Sequence, residues 1–167
     1  MKKPMIDTME RPKFDNLYTP REAILPLIQY VPRWMKIWEC TDDGRSNITK
    51  VLKENDFEVL QSDILTGFDF LIKEQSEPFD CIVTNPPYSL KDAFLERCYY
   101  YGKPFALLLP LTALEGIKRG AMFRKHGISP IILDKRVDFS GGGSNWFNAS
   151  WFTWGILENN TVVFEQV

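Results

Sequence analysis

The sequence predicts an α/β protein, a mostly parallel sheet with helices on both faces. Three observations lead there. Short apolar runs alternate along the chain with amphipathic runs of helical spacing. Several strand-like runs, above all "CIV" (81–83) and "FALLL" (105–109), are apolar at consecutive positions, so both of their faces are to be buried. The polar residues Glu39 to Gly44, Asp63, and Thr84 to Tyr88 each follow such a run. In a parallel sheet, residues placed in that way gather at one rim, where ligands bind.

The elements follow in order. The first residues are polar and spaced by prolines, which predicts a mobile arm over 1–13 ahead of a single domain over 14–167. In "LYTPREAILPLIQYV" Thr19 is placed as an N-cap, Pro20 opens the helix, Glu22 completes a capping box, and Pro26 marks a kink. "MKIWEC" (35–40) reads as a buried strand, "TDDGRSN" (41–47) as a turn, and "NITKVLKEND" (47–56) as a helix. "FEVLQSDI" (57–64) is strand-like, and "GFDFLIKE" (67–74) is a short helix or turn. The strand "FDCIVTN" (79–85) leads to an amphipathic helix over 90–102 that ends at Gly102. "PFALLLPL" (104–111) is a strand, 114–127 a helix with a basic end, and "ISPIILDKRV" (128–137) a strand. A glycine-rich loop, "DFSGGGSNWFNAS", then leads to the alternating strand "WFTWGILE" (151–158), and "TVVFEQV" ends the chain.

Bulk properties narrow the class. The 167 residues are 44% hydrophobic, enough for one packed core. No apolar run approaches the roughly 18 residues that cross a membrane, and the start has no apolar signal core. Cys40, Cys81 and Cys98 lie far apart, a pattern of neither a disulfide framework nor a zinc site, so no metal is expected and a reducing cytoplasm is. A net charge of −2 gives no general basic field, so any nucleic-acid contact must rest on a local patch.

The run "FDCIVTNPPYSL" (79–90) carries the chemistry. Its Asn-Pro-Pro-Tyr after an apolar strand resembles the catalytic motif of S-adenosylmethionine-dependent amino-methyltransferases, above all the small phage-type DNA adenine-N6 enzymes. Other stretches resemble that family in the same order: "FDNLYTPREAI", "IWECTDDG", "SDI", "GFDFL", "PFALLLPLTALEGIKR" and "NASWFTWGI". The resemblance implies a Rossmann-like class I methyltransferase fold, with a seven-stranded sheet and an antiparallel final strand. It also implies S-adenosylmethionine as cofactor and DNA, with a flipped-out adenine, as partner, in the cytoplasm of a bacterial or phage-infected cell.

The residue types suit that reaction. The exocyclic amine of adenine is a poor nucleophile because its lone pair is conjugated into the ring. Two acceptors aimed at its N–H bonds favour a tetrahedral nitrogen and stabilise the growing positive charge. The resemblance makes the Asn85 side-chain oxygen one acceptor and the Pro86 carbonyl the other. Pro87 stiffens the turn, and Tyr88 offers a ring for the base to stack on.

For the cofactor the resemblance implies Glu39, Cys40, Asp42 and Gly44 in the first loop, Asp63 and Ile64 after the second strand, Asp69 and Phe70 at the adenine, Tyr18 and Thr19 as a cover, and Asn85; Asp63 reads equally as a helix N-cap and Phe70 as a core residue. Asp42 stands where the family has a glycine, so crowding and a costly positive φ are expected there, the alternatives being a contact with the cofactor's ammonium group and a solvated turn without a ligand. Lys118, Arg119, Arg124, Lys125, Lys135 and Arg136 form the concentrated basic segment, read as phosphate contacts or as a solvated face. Trp146 and Phe147, in the flexible loop, are read as aromatics that enter or hold the opened duplex, or that pack on the sheet. Only 40 residues separate Gly44 from Thr84, too few for an inserted recognition domain. Target recognition then falls to short loops, to a partner chain or to a homodimer. Two further readings stay open: the same chemistry on RNA adenine or a protein glutamine amide, and a non-catalytic methyltransferase-like binder of nucleic acid.

Overall fold

The computed structural model describes residues 18–140 and 146–167, with the backbone alone at 146 and 147. The arm over 1–13, the glycines at 141–143, and the side chains of Trp146 and Phe147 lie outside the described residues.

Seven strands form one sheet in the order β2-β1-β3-β4-β8-β5-β9. These are β1 (Ile37–Glu39), β2 (Val59–Gln61), β3 (Cys81–Thr84), β4 (Phe105–Pro110), β5 (Ser129–Leu133), β8 (Ala149–Trp154) and β9 (Val163–Glu165). The strand that runs against its neighbours is β8, which lies antiparallel between β4 and β5. The last strand, β9, pairs parallel with β5, so the sequence's expectation of an antiparallel final strand is met one strand earlier. The tight register of β8 on β4, from Phe105 opposite Trp154 to Pro110 opposite Ala149, brings the segment before β8 to the carboxyl end of β4. A small second ribbon pairs β6 (Val137–Asp138) with β7 (Trp146–Phe147).

The continuous apolar runs bury both faces of the sheet. Ile37, Val83, Ala106, Leu108 and Trp151 pack on one face with Ala23, Ile24 and Leu27 of α1 (Arg21–Ile28) and Ile48, Val51 and Leu52 of α2 (Asn47–Glu54). Their neighbours Trp38, Ile82, Phe105, Leu107 and Phe152 pack on the other face with Phe94, Leu95 and Cys98 of α3 (Lys91–Tyr101). This alternation is the period of two along each strand. Helix α4 (Ile117–His126) adds Met122 and Phe123 to the second face.

One local expectation changes, and of helix or turn at 67–74 the turn is found. Helix α1 begins one residue later than predicted, with Pro20 as the N-cap and no capping side chain. Thr19 is instead buried, and its carbonyl accepts a bond from Asn47 Nδ2 at 3.0 Å, which ties the start of α1 to α2. Residues 67–74 form turns, and the short helix lies just before them as a single 3₁₀ turn, Ile64–Thr66.

Candidate active site at the carboxyl rim

β1, β2 and β3 run parallel, so their following loops share one rim. The loop after β1 wraps around two acids. Glu39 is 1% exposed, and its carboxylate accepts bonds from the Thr41 N–H (3.0 Å), Thr41 Oγ1 (3.1 Å), Ser46 Oγ (3.0 Å) and Thr84 Oγ1. Burial pushes the Glu39 carboxyl up to about 7, against the pull of its bonds from Thr84 and Thr41. Burial likewise pushes the Cys40 thiol well above its ordinary range.

Asp42 corrects the sequence expectation. Its side chain is folded back into the protein and does not crowd the rim. One oxygen accepts from the N–H groups of Gly44 (2.7 Å) and Ser46 (2.9 Å), the other from Thr49 Oγ1 and Gln61 Nε2, both at 2.6 Å. Burial pushes this carboxyl up, but the four bonds outweigh it and hold it below its ordinary value. The strain expected at Asp42 is absent too: the described non-glycine residues with positive φ are Asp56 and Asn160. The left-handed position belongs to Gly44, at φ +102°, where a Cβ would meet nothing within 4 Å.

Asp63 is buried at the end of β2 and caps the following 3₁₀ turn, with its Oδ1 2.7 Å from the Leu65 nitrogen. Ile64 is half exposed beside it. Asp69 accepts from the Leu71 N–H at 2.9 Å and holds the next turn. Phe70 follows the core-packing alternative: it is 2% exposed, stacked on Phe94 at 4.9 Å and edge-on to Trp38 at 5.2 Å, so its ring belongs to the core. Tyr18 stays half exposed, with the Arg45 guanidinium 5.4 Å from its ring centre, which sets this residue against the first loop.

At the end of β3, Pro86 and Pro87 are buried, and Tyr88 opens a 3₁₀ turn with its ring packed on the aromatic side of the core. The Asn85 side-chain oxygen is buried and has no hydrogen-bond partner among the described residues. Sequence reasoning missed the groups around it. Lys91 Nζ donates to the Tyr88 carbonyl at 3.2 Å, and Thr41 Oγ1 lies 2.6 Å from Thr84 Oγ1 and 3.5 Å from the Asn85 carbonyl. Hydroxyls at strand ends were the available signal, but threonine there is equally a strand residue.

The basic segment divides. Arg119 corrects the phosphate expectation: it bonds Asp92 at 2.6 Å, the Ala113 carbonyl at 2.8 Å and the Glu115 carbonyl, with its side chain only 15% exposed. Lys118 pairs with Glu96 at the surface, and Lys135 donates to the Val167 carbonyl at 2.6 Å. Arg124, Lys125 and Arg136 are exposed and have no ion-pair partner among the described residues. Arg136 lines a cleft of about 600 Å³, together with Tyr18, Pro20, Glu22, Asn47 and Phe139.

No protein-family model and no curated protein matches this chain. Solved structures do. A type I restriction-modification methyltransferase subunit from Streptococcus thermophilus is 18% identical, with a TM-score of 0.55, over 90% of this chain and 47% of its own. A modification subunit of a putative type I restriction enzyme from Vibrio vulnificus is 12% identical, with a TM-score of 0.55, over 93% and 48%. A putative class I S-adenosylmethionine-dependent methyltransferase from Listeria monocytogenes is 12% identical, with a TM-score of 0.61, over 93% and 67%. The chain thus spans about half the length of the two type I subunits. At such identities the likeness is one of fold, and with the seven-stranded, mostly parallel sheet it gives this chain a Rossmann-like class I methyltransferase fold.

Proposed function

We propose that this chain transfers a methyl group from S-adenosylmethionine to the N6 amine of adenine in DNA. The observation that carries the reading is the buried, unpartnered oxygen of Asn85. Leaving such an acceptor without a donor costs about 1–3 kcal/mol, so a structure that keeps one at a ligand rim has use for an incoming N–H. An exocyclic amine supplies that donor. Asn85 then draws on one N–H as positive charge grows at nitrogen, and the Pro86 carbonyl draws on the other. The ring of Tyr88 faces the base, and Pro86 and Pro87 keep the turn stiff. Asn85 is neutral and does not remove a proton during transfer, so water takes it afterwards.

The rim suits the cofactor. Gly44 leaves open space beside the first loop, Asp42 is turned away from it, and Asp63 closes the end of β2. Tyr18, the Gly44 backbone, Asp63, Ile64 and Asp69 are the residues that would hold S-adenosylmethionine. When bound it supplies an activated methyl on a sulfonium. The type I neighbours favour DNA as the polymer, and Arg124, Lys125 and Arg136 are the cations of the basic segment available for its phosphates.

Incubation of the protein with mixed DNA and labelled cofactor, followed by mapping of the modified bases, tests the reading. N6-methyladenine is expected in the wild type. Asn85→Ala is expected to lose about 100- to 1,000-fold in rate while its calorimetric affinity for S-adenosylmethionine stays near normal. Near-normal turnover by the variant would overturn the role of Asn85. Label found in RNA or in a glutamine side chain, and not in DNA, would overturn the substrate. The net charge of −2 and the pairing of Lys118 and Arg119 are what keep those two polymers in the test.

A further inference from the structure

We infer that Glu39 is a positioning residue: through Thr84 and Thr41 its carboxylate fixes the loop that carries Asn85, and it touches neither cofactor nor substrate. The kinetic part of this inference rests on the methyl-transfer reading; the spectroscopic part does not. Glu39 Oε1 accepts from the Thr41 N–H, Thr41 Oγ1 and Thr84 Oγ1, and Oε2 accepts from Ser46 Oγ. The group is 1% exposed, so it presents almost no surface to a ligand. Thr84 is fully buried at the end of β3, one residue before Asn85, so its bond to Glu39 clamps β1 to β3 just below the proposed catalytic turn.

Each hydroxyl has one proton to give. The Thr84 proton goes to Glu39. The Thr41 proton has three acceptors in reach: Glu39 Oε1 at 3.1 Å, Thr84 Oγ1 at 2.6 Å and the Asn85 carbonyl at 3.5 Å. While Glu39 is ionised, its charge draws both protons. Once protonated it becomes a donor itself, and the Thr41 hydroxyl is free to turn to the Asn85 carbonyl. The charge on Glu39 is therefore felt at the backbone of Asn85. The titratable groups near Glu39 are Asp42 in its own loop and the Cys40 thiol, while β3 and the start of α2 present the hydroxyls of Thr84 and Ser46. Burial, aided by the Asp42 charge, puts the Glu39 transition near neutrality, at about 7.

The direct test follows the Asn85 carbonyl carbon resonance from about pH 5 to 9, the range on either side of that transition. It is expected to titrate in the wild type and to stay flat in Glu39→Gln and in Thr41→Val. A flat resonance in the folded wild type, or the same titration in Glu39→Gln, would overturn the inference. In kinetics, Thr84→Val is expected to lose up to about 100-fold in kcat, the cost of a small misplacement, with KM for S-adenosylmethionine nearly unchanged. Thr84→Ser, which keeps the hydroxyl, is expected to restore kcat. Calorimetry closes the alternative: a Glu39→Gln protein that folds but no longer binds S-adenosylmethionine would make Glu39 a cofactor ligand and overturn the inference. If the wild type methylates nothing, the proposed function fails, while the resonance still decides the role of Glu39.

Discussion

Asp42 occupies the position at which the sequence alone points to a crowded cofactor site. From the sequence, replacing it with glycine should tighten cofactor binding. The structure reverses that expectation. The Asp42 carboxylate satisfies two backbone N–H groups at the start of α2 and the side chains of Thr49 and Gln61. Asp42→Gly strands four donors, two of which are backbone groups of the turn before α2. It is expected to lower stability by about 1–3 kcal/mol in thermal or denaturant unfolding and to leave cofactor affinity equal or weaker. Asp42→Asn keeps one acceptor oxygen and is expected to fall between the two. Tighter S-adenosylmethionine binding by the glycine variant would return Asp42 to the ligand surface. Asn85 is the opposite case. Its neighbours in sequence already mark it, because Pro-Pro after an apolar strand leaves an asparagine at a fixed strand end.

At the scale of an element, α4 shows how a basic run divides its labour. Lys118 and Arg119 are adjacent, so the step of about 100° between successive helical residues carries them to different surroundings. Lys118 meets Glu96 in water, with both side chains more than half exposed. Arg119 reaches under the helix to Asp92 of α3 and to the carbonyls of Ala113 and Glu115, and so ties α4 both to α3 and to the turn after β4. Lys118→Ala is therefore expected to change stability by less than about 1 kcal/mol. Arg119→Ala leaves Ala113 O and Asp92 without their donor and is expected to cost about 1–3 kcal/mol by denaturant unfolding. Equal effects of the two substitutions would show that the Arg119 bonds do not stabilise the fold. The sequence revealed this helix and its basic face. It did not reveal which cation is structural, because that depends on what stands beside each one after packing.

At the scale of the whole molecule, the net charge of −2 and the pairing of its cations set the salt dependence expected of the proposed DNA complex. Of the cations read as phosphate contacts, Lys118, Arg119 and Lys135 are bonded within the protein, which leaves Arg124, Lys125 and Arg136. Three phosphate contacts give a slope of about −3 for log K against log salt on duplex DNA. Binding measured by fluorescence anisotropy across a salt series is expected to show that shallow slope, and Arg136→Ala is expected to lower it by about one. A slope steeper than about −5 would show that cations outside this basic segment also meet phosphates. The sequence by itself determined the alternation of strands and helices, the burial of both sheet faces and the placing of Asn85 at a strand end. Those features follow from local periodicity and from the stiffness of proline, which act over a few residues. Tertiary structure alone decided that β8 inserts antiparallel between β4 and β5, that Phe70 joins Trp38 and Phe94, and that Asp42 bonds Thr49 and Gln61. It also decided that Glu39 meets Thr84 across 45 residues of chain. Each of these depends on which groups remain unsatisfied when distant segments come together, and that is a property of the packed chain.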